Sequence, residues 1–352
     1  METPLTPTAG LISLATASPP FVIRQDDVAA AAREQFAGRF RDFDRLSPVF
    51  TNAGIATRQS VKPLDWYLTP HGWPERTAAY LEGADALFIA AAEGALNEAG
   101  LVASDIDAIV TVSSTGIATP SLEARAMRHM PFRADVSRIP VFGLGCAGGV
   151  TGLALAARLA RATPGSRVLF VCVELCTLAV RLDGLTSANM VATALFGDGA
   201  AACVVSTDGK ALAKLDDAAE HTWSDTLAIM GWSVDPEGFG VIFDRSIPTF
   251  ASAKLRDGMA DMLAGMGLSR DEVSRFVCHP GGAKVVEAIE RSLQLGDGAL
   301  DVEREVLREH GNMSAPTALF VLKRIVERGD GGRLILTALG PGFTASTVAL
   351  SA

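Results

Sequence analysis

With 352 residues, 49% of them hydrophobic, the chain can bury a large core, as one big domain or two moderate ones. A formal net charge of -9, with no basic run longer than two residues, argues against nucleic acid as a partner. No uninterrupted apolar run reaches transmembrane length, so no membrane span is expected.

Residues 1–24 are rich in Pro, Ser and Thr and predict an ordered but irregular arm. Residues 26–43 have helical composition, and residues 51–75 collect turn residues and aromatics, among them Trp66, Tyr67, His71 and Trp73. A helix is expected over about 84–99 and a buried strand over 105–113. Further strands are expected over 167–174 and 200–206, the second after the turn Phe196-Gly197-Asp198-Gly199. The five cysteines are Cys146, Cys172, Cys176, Cys203 and Cys278. Their odd number, and an N-terminus without a charged leader segment, favour a reducing cytoplasm. Cys172 and Cys176 sit on a strand pattern with no second ligand pair at zinc spacing, so no metal is expected.

Cys146 stands among Gly143, Gly145, Gly148 and Gly149, directly before an Ala/Leu-rich run that reads as a helix. The glycines allow a tight strand-to-helix turn and the close approach of another molecule. A helix N-terminus carries partial positive charge, which favours thiolate over thiol. Cys146 therefore reads as a nucleophile, against the plainer alternative of a small apolar cysteine in a packed turn.

An internal repeat then organises the chain. Laying Cys146 over Asn312 is an offset of 312 − 146 = 166, and it brings Thr151 onto Thr317, Leu153 onto Leu319, Arg158 onto Arg324 and Gly165 onto Gly331. The helix Val150–Ala162 overlies Pro316–Arg328, and the strand Arg167–Val173 overlies Arg333–Leu339. Upstream, Gly100-Leu101 and the strand after it parallel Gly267-Leu268 and Val273–Val277, with one residue of slip. The chain reads as a duplicated α/β unit with its seam near residue 207: residues 1–206 carry the cysteine and residues 207–352 its counterpart. In α/β sheets ligands gather at the carboxyl ends of strands and the N-termini of the helices that follow. Cys146 marks that place in one half and Asn312 in the other.

The strand Arg275–Cys278 ends in His279-Pro280-Gly281-Gly282, so His279 also lies at a strand end, where it can serve a thiolate as base or cation. His71, His129, His221 and His310 lack such a setting and read as surface or turn histidines. Asn312, in Gly311-Asn312-Met313-Ser314, reads either as a helix cap or as an amide donor to an oxyanion. Its symmetry with Cys146 favours the donor. No P-loop and no Rossmann glycine fingerprint is present.

Cys, His and Asn on a duplicated α/β frame resemble the thiolase superfamily, and the chain is similar over nearly its whole length to the type III polyketide synthases, the chalcone synthase-like branch. The resemblance rests on Gly145-Cys146-Ala147-Gly148-Gly149, Leu195-Phe196-Gly197-Asp198-Gly199, His279-Pro280-Gly281-Gly282, Gly311-Asn312-Met313-Ser314 and Gly340-Pro341-Gly342-Phe343. It implies a thiolase-like duplicated αβαβα layered fold and iterative Claisen chemistry with acyl-CoA and malonyl-CoA as substrates and no cofactor. By the same resemblance Cys146 carries the acyl starter, while His279 holds Cys146 ionised and shares the malonyl thioester carbonyl with Asn312. Phe196 matches the family's gatekeeper phenylalanine. Thr119-Pro120 falls where the family passes a loop into its dimer partner, which implies a homodimer.

Several positions depart from the plant pattern. A second gatekeeper phenylalanine is replaced by Val241, Trp232 stands at a position that is small in plant members, and the cavity positions read Cys176, Leu178 and Ala179. Ser114, Gly281 and Ser314 complete the expected lining. This greasier cavity suits a long alkyl starter, because apolar contact is worth about 0.8 kcal/mol per buried methylene. The stretch Trp66 to Arg76 is also similar to bacterial alkylpyrone and alkylresorcinol synthases, so the expected product is an alkylpyrone or alkylresorcinol after two or three extensions. The plant basic cluster for CoA has no counterpart in Pro48–Thr57, which leaves Arg58 and Lys284 as candidates. The competing expectations are a ketoacyl-ACP synthase III-like enzyme making one condensation, and a non-catalytic acyl-binding subunit on the same fold.

Overall fold

The structure is a computed structural model that describes residues 7–182 and 184–352; residues 1–6 of the predicted arm lie outside the described residues. In chain order its first elements are β1 (Ala9–Ala17), β2 (Phe21–Arg24), α1 (Gln25–Phe36), α2 (Phe43–Leu46), α3 (Pro48–Asn52), β3 (Thr57–Ser60) and α4 (Trp73–Ala99). There follow β4 (Ala108–Val112), α5 (Leu122–Ala126), β5 (Ser137–Val141), α6 (Gly148–Ala162), β6 (Arg167–Leu175), α7 (Ser187–Leu195) and β7 (Asp198–Ser206). The remainder is β8 (Ala213–Thr222), the hairpin β9 (Met230–Asp235) and β10 (Gly238–Phe243), α8 (Ile247–Gly265), β11 (Arg275–Cys278) and α9 (Ala283–Leu293). The last elements are α10 (Asp301–His310), α11 (Ala315–Glu327), β12 (Arg333–Gly340) and β13 (Thr344–Ser351).

Nine strands form one mixed sheet in the order β11-β12-β13-β8-β1-β7-β6-β4-β5. The predicted duplication is visible in its pairings. β4 runs parallel to β6, which is antiparallel to β7, which is antiparallel to β1. In the other half β11 runs parallel to β12, which is antiparallel to β13, which is antiparallel to β8. The two sets meet where β1 pairs with β8 over Ala9 to Leu11. Helices α6 and α11, superposed by the repeat, are buried together against one face, with Leu153, Ala157, Leu319 and Leu322 in a shared core. Helix α4 covers the opposite face of the first half, and α8 with α9 the opposite face of the second.

Three sequence expectations are corrected here. The N-terminal arm is not irregular: β1 is a central strand, paired on both edges and buried over most of its length. Its small residues let helix α4 come close, since a Cβ on Gly94 would stand 2.9 Å from that of Ala15, and the Ser13 hydroxyl donates to the Ala95 carbonyl at 2.7 Å. The helix expected over 84–99 begins instead at Trp73, with Pro74 in its first turn, and ends at Gly100 with φ of 67°. The helix expected over 26–43 stops at Phe36. Among the described residues no helix is long and apolar enough to cross a membrane.

Candidate active site

The chain leaves β5, turns through Phe142–Leu144, and makes a single 3₁₀ turn over Gly145–Ala147 before α6 begins at Gly148. Cys146 sits in that turn, at the positive end of α6. Gly149 has a specific reason to be glycine: a Cβ there would stand 2.2 Å from the Ala315 carbonyl oxygen. The N-termini of the two symmetry-related helices therefore touch, and they carry Cys146 beside the loop that precedes α11.

That loop holds Asn312. Its backbone pairs with the segment that leaves α7 at Phe196, Asn312 N donating to Leu195 O at 2.8 Å and Gly197 N to Asn312 O at 3.0 Å. The side chain is fixed at both ends, with Nδ2 donating to Gly281 O at 3.1 Å and Oδ1 accepting from Ser314 N at 2.8 Å. Asn312 is therefore not a simple cap of α11; the residue at that cap is Ser314, whose φ of 58° and ψ of −129° are uncommon for a residue with a Cβ.

His279 follows β11 directly, and its N–H donates to Thr337 O at 2.9 Å. The residue is 4% exposed, yet neither ring nitrogen has a hydrogen-bond partner. Burial pushes its imidazole down to about 4. Burial also pushes the Cys146 thiol up to about 11, opposed by hydrogen bonds from Ser314 and Asn312 and reinforced by the Glu174 charge. Cys146 as a residue stays partly accessible. Both desolvation effects favour a neutral thiol and a neutral imidazole, where the sequence reading expected an ion pair. Polar groups buried this deeply are almost always satisfied, so two unpartnered nitrogens facing a cavity indicate a place for a ligand's oxygen.

Cys146 and Asn312 are shared by two small recesses. One, of about 40 Å³, is lined by Ser114, Cys176, Phe196, Trp232, Val241 and Ser314 among others. The other, of about 30 Å³, runs past His279 and Gly281 toward Ile247, Leu255 and Ile289 between α8 and α9. The structure thus brings together ten of the positions singled out in the sequence. The Trp232 indole donates to Ser114 O at 2.8 Å and packs edge-on to Phe196, with centroids 6.2 Å apart.

Five positions fall elsewhere. Leu178 and Ala179 line a neighbouring pocket with Trp73, Arg76, Tyr80 and Phe239. Trp232 also packs on Phe239, at 5.9 Å, so its ring stands at the wall between that pocket and the Cys146 recess. Lys284 is exposed in the first turn of α9, and Thr119 is exposed beside Pro120 on the outer surface. Arg58 is not a surface cation available to CoA. It is 2% exposed and donates to the carbonyls of Thr193, Ala194 and Phe196, each at 2.9 Å, and to the Gln25 amide oxygen.

Two acidic groups escaped the sequence reading. Glu174, at the end of β6, is fully buried; one carboxylate oxygen accepts from Ser114 N and Thr115 Oγ1 at 2.9 and 2.8 Å, and the other has no partner. Burial pushes it up to about 8. An acid closing an otherwise apolar strand was the signal available for it. Asp198, within the Phe-Gly-Asp-Gly turn, accepts from Val61 N, Thr177 N and Thr177 Oγ1 and so fixes the turn that follows β6. His310 is also more than a turn histidine: its Nδ1 meets Gln59 Oε1 at 2.6 Å, and burial, with Arg324 beside it, pushes it down to about 4. Among the described residues no cluster of three or more His, Cys, Asp or Glu side chains could hold a metal ion.

Comparison with known proteins agrees with this arrangement. Residues 74–209 match the family described as chalcone and stilbene synthases, N-terminal domain, and residues 215–352 match the C-terminal domain of the same family. The chain is 38% identical to a 1,3,6,8-tetrahydroxynaphthalene synthase of Streptomyces peucetius subsp. caesius, covering 95% of this chain and 91% of that protein. It is 28% identical to the alpha-pyrone synthesis polyketide synthase-like Pks18 of Mycobacterium tuberculosis, covering 97% and 90%. The crystal structure of 1,3,6,8-tetrahydroxynaphthalene synthase from Streptomyces coelicolor A3(2), described as a bacterial type III polyketide synthase, superposes with a TM-score of 0.92 at 27% identity, covering 97% of this chain and 99% of that one.

Proposed function

Because the chain belongs to the chalcone and stilbene synthase family, the type III polyketide synthases, we propose that it extends a fatty acyl starter with malonyl-CoA and cyclises the product to an alkylpyrone or alkylresorcinol. Membership makes it an acyl-transferring enzyme, against the ketoacyl-ACP synthase III-like and the non-catalytic readings. In the proposed cycle the Cys146 sulfur attacks the thioester carbonyl of an acyl-CoA, and CoA thiol leaves. The malonyl-CoA carbonyl then enters between Asn312 and His279, each donating one N–H. Loss of CO2 places the electron pair of the broken C–C bond in an enolate that these donors stabilise. The enolate carbon attacks the Cys146 thioester, and the sulfur is released for the next round.

The observation that carries this reading is His279: a buried imidazole with both nitrogens unpartnered, in the recess it shares with Cys146 and Asn312. A neutral imidazole still has one N–H to give, so burial does not remove its donor role. The alkyl starter is supported by the apolar lining that Phe196, Trp232, Val241 and Phe243 supply around the thiol. A second reading, a malonyl unit as starter, is favoured by the small size of that recess, about 40 Å³, and by the hydroxyl-bearing Ser114 and Ser314 in its lining. The Streptomyces peucetius relative is named for 1,3,6,8-tetrahydroxynaphthalene, a molecule with no alkyl chain.

A homodimer is part of the proposal. Ile117 and Phe142, 53% and 56% exposed, flank the same open face as Thr119. The test is mass spectrometry of products from purified protein, malonyl-CoA and a ladder of acyl-CoAs, with Cys146→Ala alongside, on a preparation whose solution mass is expected near twice 36.8 kDa. Tri- or tetraketides carrying the alkyl starter, absent with the variant, are the expected result. A product built from malonyl-CoA alone, unaffected by any acyl-CoA, would replace the alkyl starter with the malonyl one.

A further inference from the structure

The stretch from Trp66 to Arg76, conspicuous in the sequence for its aromatics, does not line the Cys146 recess. It grips the turn that does. Trp66 stacks on His71 with ring centroids 3.8 Å apart, and the Arg76 guanidinium lies 5.9 Å from the Trp66 ring centroid. Arg76 Nε donates to His71 O at 2.9 Å. Its Nη1 donates to the carbonyls of Leu178 and Val180, the second at 3.0 Å. Tyr67 joins the same turn from the other side, its hydroxyl 2.7 Å from Thr177 Oγ1. The turn Cys176–Ala179 is buried throughout, so its carbonyls depend on protein donors. A planar guanidinium can reach carbonyls on two separate segments at once, which the single ammonium of a lysine does less well.

We propose that Arg76 is a positioning residue for the starter. By holding the Leu178 and Val180 carbonyls it fixes the turn that begins with Cys176, and Cys176 is part of the wall against which the acyl group on Cys146 lies. The inference rests on the reading of Cys146 as the acyl carrier. It separates the two substrates: Arg76 holds the turn after β6, whereas His279 follows β11 and Asn312 lies in the connection before α11. Starter binding therefore depends on Arg76, and malonyl decarboxylation does not.

The experiment compares the full-length protein with Arg76→Met and Arg76→Lys. It measures KM and kcat across acyl-CoA starters, acylation of Cys146 by intact mass, and malonyl-CoA decarboxylation without a starter. Since a misplacement of about 1 Å can cost up to about 100-fold, Arg76→Met is expected to raise starter KM about 5- to 20-fold and broaden the chain-length preference. Arg76→Lys falls between, and decarboxylation stays within about twofold. Unchanged starter KM and preference would overturn the proposal, as would a parallel fall in acylation and decarboxylation, which marks a general loss of structure. A wild-type protein that takes no acyl group from any CoA thioester fails before any variant is made; that result sinks the reaction itself, and the role of Arg76 with it.

Discussion

At the scale of the residue, the Cys146 thiol is pulled in opposite directions. Burial raises its pKa, while hydrogen bonds from Ser314 and Asn312 lower it. The Ser314 backbone is held in an uncommon conformation that costs on the order of 1–3 kcal/mol, and this places its hydroxyl against the sulfur. Removing the hydroxyl with Ser314→Ala keeps the conformation and deletes one stabiliser of the thiolate. Alkylation of Cys146 by iodoacetamide at pH 9 should then slow by about fivefold or more, since a hydrogen bond to a charged group is worth roughly 1.5–3 kcal/mol. An unchanged rate would show that Ser314 does not reach the sulfur in solution. Cys146, His279 and Asn312 were legible in the sequence because glycines or a proline beside each one mark a backbone shaped around a ligand. Arg58 was not: a lone arginine reads as surface, and only the structure shows the carbonyls it satisfies.

At the scale of the element, the site depends on two helix N-termini in contact. Gly149→Ala places a methyl where the Ala315 carbonyl stands, 2.2 Å away, so one helix must retreat. Overpacking of this kind typically costs about 1–3 kcal/mol. A lower melting temperature is expected, with a loss of malonyl decarboxylation larger than the loss of folded protein, because Cys146 and Asn312 stand in the segments that lead into α6 and α11. A fall in activity no greater than the fall in folded fraction would count against the coupling. The internal repeat made α6, α11, β6 and β12 readable, since each copy vouched for the other. β1 had no such support. Five of its nine residues are Ala, Gly or Ser, which carry little strand propensity, and α4 packs close against Ser13 and Ala15. Leu178 and Ala179 line the neighbouring pocket for a similar reason: the ring of Trp232, more than 50 residues later, stands between them and the Cys146 recess.

At the scale of the whole molecule, buried titratable groups give stability a pH dependence with two opposing parts. Burial pushes Glu174 up to about 8, from an ordinary value near 4.5. Its folded pKa lies above its unfolded one, so its contribution is full below about 4.5 and is lost as pH rises through 8. His279 and His310 are pushed down to about 4, so their contribution is present above the unfolded value near 6.5 and fades as pH falls toward 4. Above pH 6.5 only the carboxyl slope remains. Stability should decline between pH 6.5 and 8.5, Glu174 alone accounting for on the order of 2 kcal/mol. Glu174→Gln should flatten that decline. One carboxylate oxygen takes both existing hydrogen bonds, so an amide oxygen can replace it. Melting curves across this range decide the matter, and a slope unchanged by the substitution would place the origin elsewhere.

The pairing between Phe196 and Asn312 has a consequence for how such a chain can change over generations. An aromatic side chain that lines the recess and the Asn312 amide share one short backbone tie, so a shift of either loop drags the other along. A descendant that needs a wider opening cannot gain it by sliding the Phe196 segment without disturbing its chemistry. It has to change a ring in place, at Phe196, Trp232 or Val241, and leave the main chain still. Inheritance in this lineage should therefore show diversity in the side chains that face the thiol on a backbone that hardly moves.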